Sequence, residues 1–126
     1  MYQSLIKFSK HLINLPNSDK KHFTFILKRK KIVSIGWNDG YKTHPIAAKY
    51  KHRFHARHSE LSAILNFKYS PSELKDYDFV NIRLTKDGLL ANSKPCQSCQ
   101  FLLRDFGIHH IIYTTDRGFN LLRLKQ

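Results

Sequence analysis

The sequence is poor in cysteine and in acidic residues, and it contains no long apolar run. No apolar segment approaches the roughly 18 residues that a membrane-spanning helix needs, and the first residues lack the basic-then-apolar pattern of a secretory signal. The two cysteines, Cys96 and Cys99, are so close in sequence that a disulfide between them would close almost no loop and add little stability. We therefore expect a soluble, cytoplasmic protein without a disulfide scaffold.

The length of the chain predicts one domain over residues 1–126. A chain of 126 residues buries roughly two-thirds of its unfolded surface when it folds, which is enough for a hydrophobic core. We find no internal repeat and no low-complexity tract.

The scarcity of acidic residues leaves a large positive charge. The chain has 22 lysines and arginines against 9 aspartates and glutamates, a net charge of +13. Residues 1–57 contain 13 of the basic residues and two acidic ones and so hold +11 of this charge, whereas the rest of the chain holds +2. Such a field attracts polyanions and supplies the sequence-independent part of nucleic-acid affinity. A phosphate-bearing partner is the favoured interpretation, and improved solubility is the alternative.

Hydrophobic periodicity in the first half predicts one helix and one hairpin. Apolar residues at helical spacing indicate a helix over 5–15. Segments 23–27 and 32–37 are β-branched or aromatic, and the basic residues Lys28–Lys31 between them predict the turn of a hairpin. Residues 38–57 are polar and basic, which predicts mainly loop with a helical turn near residues 47–49.

The second half predicts alternating helices and strands. We expect a helix beginning near His58, a strand over 78–84, a helix from Pro95 to Phe106 ended by Gly107, and strands over 108–114 and 119–124. The last two strands should be antiparallel because the turn at residues 116–118 is too short for a crossover helix. This order predicts an α/β protein with helices on the faces of a mixed sheet.

The first of two short motifs is His58-Ser59-Glu60. A histidine at the start of a helix offers a nitrogen ligand for a metal ion. A glutamate two residues later stands close enough to move protons at that ion without binding it. Alone, this motif is weak, since most such histidines are surface residues.

The second motif is Pro95-Cys96-Gln97-Ser98-Cys99. Proline suits the first turn of a helix and would place Cys96 and Cys99 one turn apart on one face. The helix dipole and the free N–H groups there favour thiolates, the form that binds zinc. Alone, a C-x-x-C pair also fits a redox pair or half of a structural zinc site. Together with His58 it supplies three ligands and leaves a fourth position for water, the pattern of a catalytic zinc site.

At these two motifs the chain resembles the zinc-dependent cytidine deaminase superfamily, which has an H-x-E and P-C-x-x-C signature. The resemblance implies a three-layer α/β/α sandwich around a mixed five-stranded sheet. It also implies one catalytic Zn²⁺ held by His58, Cys96 and Cys99, with Glu60 as the catalytic proton shuttle. The implied enzyme is a hydrolase acting on C–N bonds in cyclic amidines, and members of this fold often complete the pocket by homo-oligomerisation.

Four residues are candidates for substrate contact. The resemblance places Asn38, after the second strand, against the sugar of a substrate. Ser59 stands where the family more often has alanine or valine, a change that could alter base preference. Trp37 could stack on a base, although a core position is the more common role of such an aromatic residue. His44 belongs to the basic loop before the site and could contact phosphate or base edges.

Three classes of function remain open. The charge of the first half and the basic loop favour deamination of cytosine within single-stranded DNA or RNA, with adenine in RNA as a lesser possibility. The short antiparallel ending instead resembles deaminases of free nucleosides, which favours (deoxy)cytidine or (d)CMP. A non-catalytic member of the fold that binds nucleic acid is the third class, and the intact Glu60 argues against it.

Overall fold

The structure, a computed structural model, describes residues 2–43, 45–49 and 56–124. Its helices are α1 (Gln3–His11), α2 (Pro45–Lys49), α3 (Ser59–Asn66) and α4 (Gln97–Asp105), and a 3-10 helix spans Pro71–Asp76. Its strands are β1 (Lys21–Lys28), β2 (Lys31–Trp37), β3 (Asp39–Thr43), β4 (Ala56–Arg57), β5 (Asp78–Leu84), β6 (Leu90–Ala91), β7 (His110–Thr115) and β8 (Gly118–Arg123).

The main sheet is mixed and has the strand order β2-β1-β5-β7-β8, with the short β6 paired to β5. β5 and β7 are parallel, and the other neighbouring strands in this sheet are antiparallel. The predicted five-stranded sheet is therefore present with one additional short strand. The antiparallel pairing of β7 with β8 is confirmed, because only Asp116 and Arg117 connect them.

The predicted hairpin of β1 and β2 is confirmed. Its turn consists of Arg29 and Lys30, which both have positive φ angles, of 51° and 68°. Two residues in this conformation match the right-handed twist of the flanking strands. The basic turn lies at the C-terminal end of β1, opposite the end at Lys21.

Two hydrophobic clusters, one on each face of the sheet, give the predicted three layers. The first cluster joins α3 and α4 to the sheet and includes Leu61, Leu102 and Ile111. The second packs α1 against the opposite face and includes Leu5 and Phe25. No helix within the described ranges is both long enough and apolar enough to cross a membrane.

The first half of the chain differs from the sequence-based expectations in two places. α1 ends at His11 rather than near residue 15, because Leu12 closes it as the C-cap. The segment expected to be mainly loop contains β3 and β4, paired as a second small sheet, besides the expected helical turn, which is α2. Residues 44 and 50–55 of that segment lie outside the described part of the chain.

Candidate active site and metal centre

The two motifs lie at the N-termini of two helices on the same face of the sheet. His58 is the N-cap of α3 and Cys96 is the N-cap of α4. The expectation that Pro95 occupies the first helical turn was wrong, because Cys96 has an extended conformation (φ −65°, ψ 166°) and the helix begins only after it. Cys99 nevertheless follows in the first turn, so both sulfurs lie near the positive end of the helix dipole.

The structure brings the three predicted ligands together. One ligand atom from each of His58, Cys96 and Cys99 lies within 4.8 Å of the others. The Nδ1 atom of His58 is 3.7 Å from Sγ of Cys96 and 3.4 Å from Sγ of Cys99. Tetrahedral zinc bonded to sulfur and nitrogen at its usual distances holds those atoms about 3.6 Å apart. The two nitrogen–sulfur distances therefore fit one zinc ion.

Hydrogen bonds within this cluster set the protonation of the ligands. The Cys99 thiol and His58 stabilise the Cys96 thiolate and lower the pKa of Cys96 to about 3. The same hydrogen bond and burial raise the pKa of the Cys99 thiol, and a hydrogen bond with Cys96 raises the pKa of His58. A cation that binds here competes with protons for Cys99 and His58.

We expect the protein to bind one zinc ion per chain and Cys99→Ala to lose it. Because Cys99 is fully buried, water cannot readily replace the missing sulfur. Binding should weaken as the pH falls, since protons compete for Cys99 and His58, whose pKa values are raised. Elemental analysis after dialysis against a weak chelator measures the zinc content, and His110→Ala, which removes an exposed histidine, is the control. Stoichiometric zinc in the Cys99 variant would contradict the assignment.

Glu60 lies beside the metal cluster in a buried position. Its side chain is 5 % exposed, and its carboxylate contributes to the raised pKa of Cys99, which it can reach by a hydrogen bond. Its Oε1 accepts a hydrogen bond from Ser59 Oγ at 3.1 Å, and its Oε2 accepts one from Asn81 Nδ2 at 2.9 Å. Both carboxylate oxygens are thus held by neutral donors.

The segment that leads to the cysteine motif is anchored where β5 and β7 separate. Ser93 lies between the two strands: its Oγ donates to the carbonyl of Asn81 at 2.9 Å and accepts from the N–H of Thr114 at 2.7 Å. The N–H of Ser93 also donates to the carbonyl of Thr114. Ligand sites often lie where neighbouring strands separate at the carboxyl end of an α/β sheet. Here the hydrogen bonds of Ser93 fix the position of the segment that precedes Cys96.

The other sequence candidates occupy different places. Asn38 bridges the start of β1, donating to the carbonyl of Lys20 and accepting from the N–H of His22. Trp37 pairs across strands with Phe23 and packs in the cluster on the α1 face, so the structure does not bring its ring to the metal ligands. His44 lies outside the described residues.

Sequence reasoning missed three buried polar residues: Asn81, which hydrogen-bonds Glu60, and Thr24 and Ser93, which hydrogen-bond Asn81. The signal for Asn81 was present, because it interrupts the otherwise apolar run 79–82 of a buried strand. Thr24 is paired with Asn81 across the β1–β5 ladder. A polar side chain inside an apolar strand needs hydrogen-bond partners, and those partners mark the place of the site.

No protein-family model matches the sequence, and no curated protein matches it. A crystal structure of cytidine deaminase from Burkholderia pseudomallei superposes with a TM-score of 0.64 at 14% sequence identity, covering 98% of this chain and 93% of that chain. The chain has the cytidine deaminase fold. The dCMP deaminase from the cyanophage S-TIM5 in apo form is also similar, with a TM-score of 0.59 and 16% identity over 90% of this chain and 81% of that one.

Proposed function

We propose that the protein hydrolytically deaminates cytosine to uracil with one catalytic zinc ion. The observation that carries the proposal is a buried glutamate beside a His–Cys–Cys cluster of tetrahedral spacing. The fold that surrounds this cluster is that of two proteins named as deaminases. Three protein ligands and one adjacent carboxylate are the equipment of zinc-dependent nucleobase deamination.

The residues of the site have separate roles in the proposed reaction. His58, Cys96 and Cys99 would hold the zinc ion, which supplies a Lewis acid that activates water for attack. The Glu60 carboxylate takes a proton from the attacking water and passes it to the ring nitrogen next to the carbon that bears the amine. It then takes the second proton, from the hydroxyl group added to that carbon, and delivers it to the departing amine, so that ammonia leaves and the carbonyl product remains. The buried position of Glu60 keeps bulk water from competing for these protons.

We infer that the substrate bears phosphate and that single-stranded DNA or RNA is its preferred form. The net charge of +13 supports this. A second support is Arg83, which lies two residues after Asn81 on β5, so that both side chains point to the same face of the sheet. The buried Nε atom of Arg83 has no hydrogen-bond partner in the described part of the chain. Its cross-strand neighbour His22 is neutral at pH 7, because burial lowers its pKa to about 4.

The second candidate substrate is free (deoxy)cytidine or (d)CMP. The antiparallel β8 strand, reached by a short turn, favours it. So do the two similar structures, one a cytidine deaminase and the other a dCMP deaminase. In both candidates the reacting base and the roles of the site residues are the same.

A substrate panel separates these candidates. The zinc-loaded protein is incubated with cytidine, deoxycytidine, CMP, dCMP and cytosine-containing single strands of DNA and RNA, and a mass gain of about one unit marks deamination. We expect turnover of the strands, with a KM that rises steeply with salt. An adenine-containing strand tests the base. Tight strand binding without a mass change in any substrate would overturn the proposed activity.

A pair of variants tests the role of phosphate. Arg83→Gln should raise the KM for dCMP more than the KM for deoxycytidine, because only the former carries an anion for the guanidinium to bind. Lys30→Gln removes a cation from the hairpin turn at the other end of β1 and is the matched control. Equal effects of Arg83→Gln on both substrates would contradict a phosphate contact.

A further inference from the structure

Buried polar side chains form a hydrogen-bond network around Glu60. Ser59 donates to Glu60 Oε1, and Asn81 donates to Glu60 Oε2. Thr24 supports this arrangement: its Oγ1 donates to Asn81 Oδ1 at 2.6 Å and packs against Ser59 Oγ at 2.9 Å. All four side chains are at most 5 % exposed. Glu60 has the only ionisable side chain among the four.

The hydrogen bonds determine the orientation of the Asn81 amide. Its Nδ2 donates to Glu60 Oε2 and also to the carbonyl of Ser93 at 3.1 Å, so both of its protons are used. Its Oδ1 accepts from Thr24. A flipped amide would place an oxygen against two acceptors, at Glu60 and Ser93, at a cost comparable to losing both hydrogen bonds. Asn81 is therefore held in the orientation that presents a donor to Glu60.

We propose that Thr24, Ser59 and Asn81 form a carboxylate clamp that positions Glu60 for proton transfer. The inference rests on the proposed function of Glu60 and assigns these three residues a positioning role that acts through Glu60. A carboxylate held by two donors cannot rotate about its last bond, so one geometry is kept between its oxygens and the reacting atoms. Proton transfer requires a heavy-atom separation of about 2.6–3.2 Å, and small errors in position are costly.

Kinetics of clamp variants test the proposal. Asn81→Leu and Thr24→Val remove hydrogen bonds while nearly conserving volume. We expect kcat to fall about tenfold to a hundredfold for Asn81→Leu and about tenfold for Thr24→Val, with KM and zinc content unchanged. Thr24→Ser, which keeps the hydroxyl group, should restore most of kcat. Wild-type kcat in zinc-loaded Asn81→Leu would overturn the clamp.

Ser34→Ala is the control for a general loss of stability. Ser34 is buried, and its hydroxyl donates to the carbonyl of Ala63 in α3 at 2.7 Å, away from Glu60. The Ser34→Ala variant should lower the free energy of unfolding, as Thr24→Val does, but leave kcat unchanged. An equal loss of kcat in Ser34→Ala would mean that the clamp residues act only through stability.

A second measurement does not depend on any activity. The free energies of unfolding of wild type, Asn81→Leu, Glu60→Gln and the double variant form a double-mutant cycle. We expect the two changes to be non-additive, because Asn81→Leu removes the donor of a hydrogen bond whose carboxylate acceptor Glu60→Gln replaces with a weaker amide acceptor. If the effects are non-additive but the protein turns over no substrate, the proposed function is contradicted while the hydrogen bond between Asn81 and Glu60 is supported. Additive effects would overturn the clamp.

Discussion

Glu60→Gln lowers turnover of the cytosine substrate by about 10²–10⁴-fold, the usual contribution of a general acid–base group, and leaves the zinc content unchanged. The glutamine amide has the same shape, and its oxygen can still accept the hydrogen bond from Asn81 Nδ2. It cannot, however, accept and return a proton at neutral pH. Initial rates on the best substrate of the panel and elemental analysis of the same sample measure the two effects.

The control for this prediction is Asp116→Asn, which removes an exposed carboxylate in the turn between β7 and β8. It should not change turnover or zinc content. Wild-type rates in the Glu60 variant would refute the mechanism. Loss of zinc from that variant would show instead that Glu60 helps to hold the metal.

Gly36→Ala is expected to destabilise the protein by at least about 3 kcal/mol, toward the upper end of single substitutions. Gly36 faces α3 from β2, and a β-carbon added there would overlap the carbonyl oxygen of Ser59 and the backbone nitrogen of Ala63. Backbone atoms cannot rotate away, so α3 would have to move from the sheet. Because His58 directly precedes this helix, the displacement should also weaken zinc binding. Urea unfolding and zinc content measure both effects.

Gly88→Ala is the matched control for Gly36→Ala. A β-carbon at Gly88 has no heavy atom within 4 Å, although φ is +85° there. Its only cost is backbone strain of roughly 1–2 kcal/mol, and the zinc site lies elsewhere. If Gly36→Ala were no more destabilising than Gly88→Ala, or retained full zinc binding, the close approach of α3 to β2 would be wrong.

Most of the secondary structure was predictable because its signals are local. The β1–β2 hairpin followed from two β-branched or aromatic segments around a basic turn, and the strand over residues 78–84 matches β5 at both ends. Glycine at position 107, with φ of +81°, follows α4 as expected of a helix end. The errors occurred where local patterns are weak, in the polar segment after Asp39 and at the short strand β6.

The candidate metal ligands could be named from the sequence, since the residue types and their spacing within each motif are local. Their relative position could not be predicted from it. His58 lies 38 residues from Cys96, and only the packing of α3 and α4 on the same face of the sheet brings the nitrogen within 4 Å of both sulfurs. Pro95 lies outside the helix, because Cys96 is the N-cap and α4 begins at Gln97.

The sequence by itself determined which atoms can bind zinc, which carboxylate can move protons, and that the fold is α/β. The tertiary structure alone decided how Glu60 is held, because Asn81 and the Thr24 that orients it come from two separate strands, β5 and β1. Thr24 is 35 residues from Ser59 and 57 from Asn81, and they meet through the register of β1 with β5 and the placement of α3 over β2. Residues so distant leave no mark in local periodicity, and their contacts follow only from the pairing of strands and the packing of the helix on them.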